Sequence, residues 1–130
     1  MSVKRILMLE DDRQLASYWQ TALEERGYAV VHETDVDRAI AAVDAEEPFD
    51  LVITDILIRD TEDKLGAKGG LTLLTHITLN MKQKPKTIAI SGASRSINVL
   101  KHAEMLKATR TLPKPIVAED LVAAVDDLLK

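Results

Sequence analysis

Short apolar runs alternate with longer amphipathic stretches along the whole chain, and this alternation limits the folds open to it. Five runs are predicted to be strands: Arg5–Leu9, Tyr28–His32, Leu51–Thr54, Thr87–Ser91 and the weaker Thr109–Leu112. The first, third and fourth are almost entirely apolar, which is typical of strands covered on both faces. Strands that alternate with helices in this way form a parallel sheet with right-handed crossovers.

The stretches between and after these runs carry apolar residues at helical spacing. The predicted helices are Arg13–Arg26, a segment capped by Asp35 and ended by Pro48, Leu71–Gln83, a segment from Ser94 or Ser96 to about Lys107, and Val117–Leu129. The chain of 130 residues suffices for one ordinary domain. We therefore predict a single α/β domain over residues 1–130. Its fold class is flavodoxin-like (βα)5, a five-stranded parallel sheet of order 2-1-3-4-5 with helices on both faces.

Composition excludes several kinds of protein. There is no cysteine, so the chain has no disulfide framework, thiolate metal site or cysteine nucleophile. The 17 Lys and Arg residues are scattered among 21 Asp and Glu residues, which leaves a net charge of −4 and no basic face for nucleic acid. No apolar run approaches the roughly 20 residues of a membrane span. These features predict a cytoplasmic protein without a direct nucleic-acid or membrane partner.

Charged and hydroxyl side chains occur at the ends of four predicted strands. Glu10 and Asp11 follow the first strand, Asp55 follows the third, Ser91 ends the fourth and Lys114 follows the fifth. Because open parallel sheets bind ligands at the carboxyl ends of their strands, we expect these side chains to converge. Clustered carboxylates need a compensating cation or a proton, and oxygen ligands of this kind favour Mg²⁺. With a lysine and a hydroxyl added, the cluster predicts a phosphoryl-transfer site.

Four motifs in this order, ILMLEDD, DLVITD, AISGAS and LPKP, resemble the receiver domain of two-component response regulators. The resemblance covers essentially the whole chain. It implies a phosphorylation-activated signalling switch and not an enzyme with turnover, because such a domain catalyses only its own phosphotransfer and autodephosphorylation. It also implies a histidine kinase or a histidine phosphotransfer protein of a phosphorelay as donor, and a downstream protein effector as reader. A homodimer is compatible with the residues but not demanded by them.

The resemblance also assigns roles to individual residues. Asp55 matches the phosphoacceptor, Ser91 the hydroxyl that turns toward the phosphoryl group, and Lys114 the lysine of the family motif, with a cis bond expected to Pro115. The expected Mg²⁺ ligands are Glu10 (mostly through water), Asp11, Asp55 and the carbonyl of Leu57. Output is expected through the face that the fourth predicted helix, the fifth strand and the fifth helix share.

The chain departs from the family pattern after Asp55 and at Thr111, and two positions that flank the phosphoryl group are apolar. Arg59 replaces the usual proline, and an insertion of approximately residues 59–68 follows, polar and glycine-containing, which predicts a mobile loop beside the site. We hypothesise that this loop modulates the access of a partner or of water to the site. Its deletion should then change the rate of phosphorylation or of dephosphorylation. Thr111 replaces the usual aromatic switch residue, so the coupling to output is expected to be weakened or altered. Leu57 and Ala93 are apolar and cannot orient water, which predicts slow autodephosphorylation.

Other interpretations stay open. The alternative is a degenerate receiver that acts as a phosphorylation-independent protein-interaction module. An aspartate-nucleophile phosphatase would carry a D-x-D pattern after the first strand, and LEDD does not supply it. A nucleotide-binding module of similar fold would carry a glycine-rich or hydroxyl-rich loop there, and DDRQ is neither.

Some polar residues have simpler structural explanations. Asp12 is more typical of a helix N-cap than of a metal ligand. The three histidines, His32, His76 and His102, lie on separate elements, which favours surface or packing roles. Trp19 lies at core spacing and needs no functional explanation.

Overall fold

The computed structural model describes residues 3–45, 47–56, 58–59, 65–66, 68–91 and 107–130, which form seven strands and four helices. The strands are β1 (Arg5–Leu9), β2 (Ala29–Glu33), β3 (Leu51–Asp55), β4 (Ile58–Arg59), β5 (Leu65–Gly66), β6 (Lys86–Ser91) and β7 (Arg110–Pro113). The helices are α1 (Arg13–Glu25), α2 (Val36–Asp44), α3 (Lys68–Asn80) and α4 (Ala118–Leu128).

Five of these strands form one parallel sheet in the order β2-β1-β3-β6-β7. This is the predicted order 2-1-3-4-5, with β6 and β7 as the fourth and fifth strands of the sheet. The flavodoxin-like fold class is therefore confirmed. The central strands β1 and β3 are paired so that Leu9 lies opposite Thr54, which brings the residues that follow them to the same edge.

The sheet separates two hydrophobic cores, which explains why its central strands are largely apolar. Along β1, Ile6 and Met8 pack into the core that includes Trp19 and the inner residues of α4. Leu7 and Leu9 pack into the opposite core, with residues of α2 and α3. All four β1 side chains are fully buried. Each such burial stabilises the fold by roughly 1.5–3 kcal/mol, so neither face of the strand has room for a polar residue.

Local signals set the starts of the first two helices. The carboxylate of Asp12 accepts a hydrogen bond from the backbone N–H of Leu15 at 3.0 Å and caps α1. Asp35 accepts from the N–H groups of Asp37 and Arg38 and caps α2. Gly27 follows α1 with φ of +95°, a backbone region in which only glycine avoids a steric cost. The capping predictions for Asp12 and Asp35 are confirmed.

The insertion contains ordered backbone that the sequence did not predict. Ile58 and Arg59 pair antiparallel with Gly66 and Leu65 to form the β4–β5 ladder. Helix α3 then begins at Lys68, three residues before the predicted start, and ends at Asn80, three residues before the predicted end. Mobility of the remaining loop stays a prediction, because residues 60–64 lie outside the described residues.

The fourth predicted helix, from Ser94 or Ser96 to about Lys107, lies outside the described residues except at its last residue. The fifth predicted helix is α4. Among the described helices, none is both long enough and apolar enough to cross a bilayer.

A hydrogen bond between Tyr28 and Asp126 fastens the start of β2 to α4. The Tyr28 hydroxyl donates to Asp126, which also forms a 2.7 Å ion pair with Arg26. Burial, followed by the bond to Asp126 and its charge, raises the pKa of Tyr28 to about 12. The same bond, opposed by slight burial and aided by Arg26, lowers the pKa of Asp126 below its usual range. Asp126 therefore accepts this bond as a carboxylate at neutral pH.

Tyr28→Phe should lower the free energy of unfolding by about 1 kcal/mol at pH 7, because it removes this bond and leaves the ring in place. A depressed carboxyl pKa stabilises the fold above the unfolded value of 3.8 and loses that effect as pH falls through the folded pKa. The difference between wild type and Tyr28→Phe should therefore shrink below pH 3.8. Urea unfolding across pH measures it, and a difference that does not change with pH contradicts the assignment.

Candidate functional site

The carboxyl ends of β1 and β3 bring two acidic residues together. Glu10 directly follows β1 and Asp55 ends β3, one residue beyond the Leu9–Thr54 pair. The backbone N–H of Glu10 donates to the carbonyl of Glu33, which fixes the chain at this point. Glu10 is fully buried and Asp55 is 5% exposed. Two carboxyl groups are thus held next to each other away from water, an arrangement that needs compensation.

Lys114 supplies part of that compensation from the end of β7. Its Nζ donates to Glu10 Oε1 at 2.8 Å and to Asp55 Oδ2 at 2.5 Å. The Lys114–Pro115 peptide bond is cis, as the family resemblance implied. One ammonium group therefore bridges two carboxyl groups whose residues lie 104 and 59 positions away in the sequence.

Asp11 completes an acidic cluster at this edge of the sheet. Oxygen atoms of Glu10, Asp11 and Asp55 all lie within 4.8 Å of one another. Asp11 is half-buried, so the cluster is reached from solvent on its side. The structure thus brings together four of the residues that the sequence predicted for the site, from three separate strand ends.

The cluster places three carboxyl groups beside one ammonium group, and this imbalance affects the pKa of Glu10. Burial, and then the neighbouring carboxyl of Asp55, raise the pKa of Glu10 from 4.5 to about 8, although Lys114 opposes the shift. Burial lowers the pKa of Lys114, but its bonds to Asp55 and Glu10 outweigh burial, and the pKa of Lys114 is raised above its usual 10.5. Glu10 therefore holds a proton near neutrality, and the site has room for more positive charge than Lys114 provides.

Glu10 also presents a buried oxygen suited to further coordination. Its Oε2 has no hydrogen-bond partner among the residues that the structure describes. A buried acceptor of this kind is normally satisfied by a proton, a water or a cation. The donor set of three carboxyl groups is oxygen only, which fits a hard divalent ion such as Mg²⁺ and excludes a soft one. The residues present therefore fit the predicted metal.

The remaining predicted site residues are described only in part. The backbone of Ser91 lies at the end of β6, opposite Pro113, the residue before Lys114. Leu57 and Ala93 lie outside the described residues, as does His102. Thr111 lies in β7, half-buried and paired with Ala89 of β6.

Two histidines have structural partners, in line with the sequence interpretation. The Nε2 atom of His76 lies 2.7 Å from a carboxylate oxygen of Asp44 and links α3 to α2. The Nε2 atom of His32 lies 2.8 Å from the carbonyl oxygen of Glu10. Sequence reasoning missed the second contact, because period-two alternation in β2 does not show which backbone group a side chain reaches.

Sequence reasoning also missed two hydrogen bonds that join aromatic residues of α1 to the segment after Lys114. Trp19 was correctly predicted to be in the core, but its indole N–H donates to the carbonyl of Ile116 at 3.3 Å. The hydroxyl of Tyr18 accepts from the backbone N–H of Ala118 at 3.1 Å. The available signal was chemical: a buried Trp usually finds a partner for its N–H.

Known proteins resemble the chain along nearly its full length. The family model "Response regulator receiver domain" matches residues 6–126. The response regulator receiver protein CpdR of Brucella abortus is 29% identical over 129 residues, which cover 98% of both chains. The transcriptional regulatory protein CpxR of Klebsiella pneumoniae is 27% identical over 98% of this chain, which spans only 50% of CpxR. A receiver domain from Methanospirillum hungatei superimposes with a TM-score of 0.81 at 26% identity, covering 98% of this chain and 94% of that one.

Proposed function

The chain belongs to the response regulator receiver family, and from that premise we propose that it is a Mg²⁺-dependent switch in which Asp55 accepts a phosphoryl group from phosphohistidine. The observation that carries the proposal is the bridge of Lys114 between Glu10 and Asp55 beside the half-buried Asp11. This arrangement places a nucleophilic carboxylate, a fixed cation and a set of metal ligands at one sheet edge. Those are the parts that phosphoryl transfer to a carboxylate requires.

The proposed reaction transfers one phosphoryl group. A carboxylate oxygen of Asp55 attacks phosphorus in line, the P–N bond of the phosphohistidine breaks, and the imidazole leaves with the bond's electron pair. The product is an acyl phosphate on Asp55. Lys114 contributes positive charge already placed 2.5 Å from the reacting carboxylate, so little reorganisation is needed as charge moves onto the aspartyl phosphate. The chain performs this step on itself and is not an enzyme with turnover.

Mg²⁺ would be held by Asp11 and Asp55 directly, by Glu10 mostly through water, and by the carbonyl of Leu57, which lies outside the described residues. When bound, it supplies charge that offsets the carboxylates and the phosphoryl oxygens. The hydroxyl of Ser91 is proposed to donate to a phosphoryl oxygen. The backbone of Ser91 ends β6 and lies opposite Pro113 of the neighbouring strand β7, the residue before Lys114.

The proposed donor is a histidine kinase or a histidine phosphotransfer protein, and the proposed reader is a downstream protein effector. Output would pass through the face that β7 and α4 share with the predicted fourth helix. Phosphorylation shifts this face only as far as the phosphoryl group has different contacts in two states. Thr111 has no aromatic ring, so the inward rotation of such a ring cannot couple phosphorylation to this face. Such a switch would work in the cytoplasm.

Beryllofluoride, which binds to an aspartate carboxylate as a phosphoryl mimic, tests the proposal without a kinase. We expect beryllofluoride to bind when Mg²⁺ is present and not to bind measurably after chelation with EDTA. Changes in the NMR shifts of backbone amides in β3 and β7 detect the binding. Binding that is indifferent to Mg²⁺ would contradict metal dependence. No binding under either condition would instead support the interaction-module alternative.

Ala93→Glu should accelerate autodephosphorylation by about tenfold or more, because a carboxylate two residues past Ser91 can orient an attacking water. Ala93 itself lies outside the described residues, so this expectation rests on the sequence pattern. Loss of label from the phosphorylated protein measures the rate. Ala41→Glu, at an exposed position of α2, adds the same side chain elsewhere and should change nothing. A wild-type half-life of only seconds would contradict the expected slow hydrolysis.

A further inference from the structure

Helix α1 is tied at two adjacent residues to the segment that carries Lys114. The indole N–H of Trp19 donates to the carbonyl of Ile116, two residues past Lys114. The hydroxyl of Tyr18 accepts from the backbone N–H of Ala118, the first residue of α4. The two bonds therefore fasten the first and last of residues 116–118, the span that joins cis Pro115 to the start of α4.

These bonds have no local substitute. The N-cap residue of α4 is Val117, which makes no side-chain capping bond, so the hydroxyl of Tyr18 satisfies an N–H that the helix leaves open. Val117 is 53% exposed and contributes little packing of its own. Side chains of α1 thus hold two backbone groups of the segment after Lys114, in addition to the packing of Ile116 and Ala118 against the core.

Trp19 also contacts Lys114 through its ring. Its side chain is 1% exposed and belongs to the core cluster that includes Ile53 and Ile90, on the strands flanking the site. The ring centroid lies 5.9 Å from Nζ of Lys114, at the limit for attraction between a cation and an aromatic face. The indole is a rigid ring buried in the core, whereas the lysine side chain is a flexible four-carbon stem.

We propose that Trp19, assisted by Tyr18, is a positioning residue for Lys114 in phosphoryl transfer. The inference rests on the proposed function and assigns it two residues outside the charged cluster. Trp19 holds the backbone after Lys114 through Ile116 and limits the space open to its ammonium group. Tyr18 fixes the far end of the same segment. Neither residue contacts the reacting atoms, and both act by keeping Nζ of Lys114 at the carboxylates.

Three substitutions of single aromatic residues test this assignment. Trp19→Phe and Tyr18→Phe each remove one bond and keep a ring, and Tyr18 is 52% exposed, so its variant folds even if Trp19→Phe does not. We expect each to lower the rate constant of phosphorylation at saturating acetyl phosphate and Mg²⁺ by about threefold to tenfold, the scale of one hydrogen bond. Tyr28→Phe, which loses a hydroxyl bond remote from Lys114, is the matched control and should change this rate less than about twofold.

A double-variant cycle separates positioning from general stability. In a Lys114→Ala background, Tyr18→Phe and Trp19→Phe should produce no further loss of rate, because the group that they position is gone. If either lowers the rate by the same factor with and without Lys114, the effect is structural and the inference is overturned. Equal rates for wild type, Tyr18→Phe and Trp19→Phe overturn it as well.

A spectroscopic measurement gives an answer that does not depend on phosphorylation. Trp19 is the only tryptophan, so its indole N–H gives a single cross-peak in a ¹H–¹⁵N spectrum. We expect Lys114→Ala to move this peak and to speed its exchange with solvent, and an unmoved, equally protected peak contradicts the contact. If wild type is not phosphorylated at all, the proposed function fails, while the behaviour of this peak still decides whether Trp19 and Lys114 are coupled.

Discussion

Asp55→Asn is expected to abolish phosphoryl acceptance, with a fall in the phosphorylation rate constant of more than about 1,000-fold, while the protein stays folded. Asparagine has nearly the shape of aspartate but no nucleophilic carboxylate, so the acyl phosphate cannot form. The fold should survive because the substitution also removes one of the carboxyl groups that crowd Glu10. Lys114 would then still be paired with Glu10 at 2.8 Å.

Phosphotransfer profiling against a set of histidine kinases measures this effect and finds the donor in the same experiment. Asp44→Asn is the matched control, since Asp44 is exposed on α2 and pairs with His76 away from the cluster. It should be phosphorylated at the wild-type rate. If Asp55→Asn accepts phosphoryl groups as fast as Asp44→Asn, another residue is the acceptor.

Lys114→Ala should lower both stability and the phosphorylation rate. Removing one partner of a buried ion pair leaves carboxylates without compensation, which typically costs about 3 kcal/mol or more. Protonation of Glu10 relieves part of this loss. The rate constant of phosphorylation should fall about 100-fold, the scale for loss of one fixed group that stabilises developing charge.

The stability loss in Lys114→Ala should depend on pH in a defined direction. A carboxyl whose folded pKa is raised, as that of Glu10 is to about 8, stabilises the fold at low pH and loses this effect as pH rises between 4.5 and about 8. Lys114 lowers that pKa, so without it Glu10 must stay protonated to higher pH or remain buried with its charge unpaired. The difference from wild type should therefore be smaller at pH 5 than at pH 9.

Urea unfolding with and without Mg²⁺ at both pH values measures this difference. Mg²⁺ should restore part of the lost stability, because a divalent cation offsets the same carboxylates. Lys86→Ala is the matched control: Lys86 is exposed, donates to the carbonyl of Leu128 and lies far from the cluster in β6. It should show neither the pH dependence nor the rescue by Mg²⁺. A loss in Lys114→Ala that is equal at pH 5 and pH 9 would contradict the coupling to Glu10.

The fold was predictable because its signals are local and repeated. The apolar runs of β1, β3 and β6 indicate strands covered on both faces, and the caps at Asp12 and Asp35 mark helix starts within one or two residues. The convergence of Glu10, Asp11, Asp55 and Lys114 then follows from the order of the strands alone. No knowledge of side-chain contacts is needed to place strand ends at one edge of a parallel sheet.

The parts that sequence reasoning missed depend on contacts between distant residues. The β4–β5 ladder lies in a polar, glycine-containing segment whose composition is typical of a loop and does not indicate strands. The bonds of Trp19 to Ile116 and of Tyr18 to Ala118 span 97 and 100 positions. Periodicity assigns Trp19 to the buried face of α1, but it cannot show where the polar tip of a buried ring is directed.

The protonation of Glu10 also lay beyond the sequence. An acidic triplet after a strand predicts several carboxylates, but burial decides which of them carries a proton. Glu10 is fully buried whereas Asp11, the next residue, is half-buried. Desolvation is the largest cause of its raised pKa, and desolvation is a property of the folded state.

Tandem mass spectrometry tests the central claim most directly. The protein is incubated with acetyl phosphate and Mg²⁺, the acyl phosphate is trapped by borohydride reduction, and the intact protein and its peptides are then analysed. The arrangement of Lys114 and three acidic residues predicts one modified site, at Asp55, that disappears when EDTA is added. Modification of a different residue, or an unmodified Asp55 under conditions that phosphorylate another receiver domain in the same tube, would contradict it.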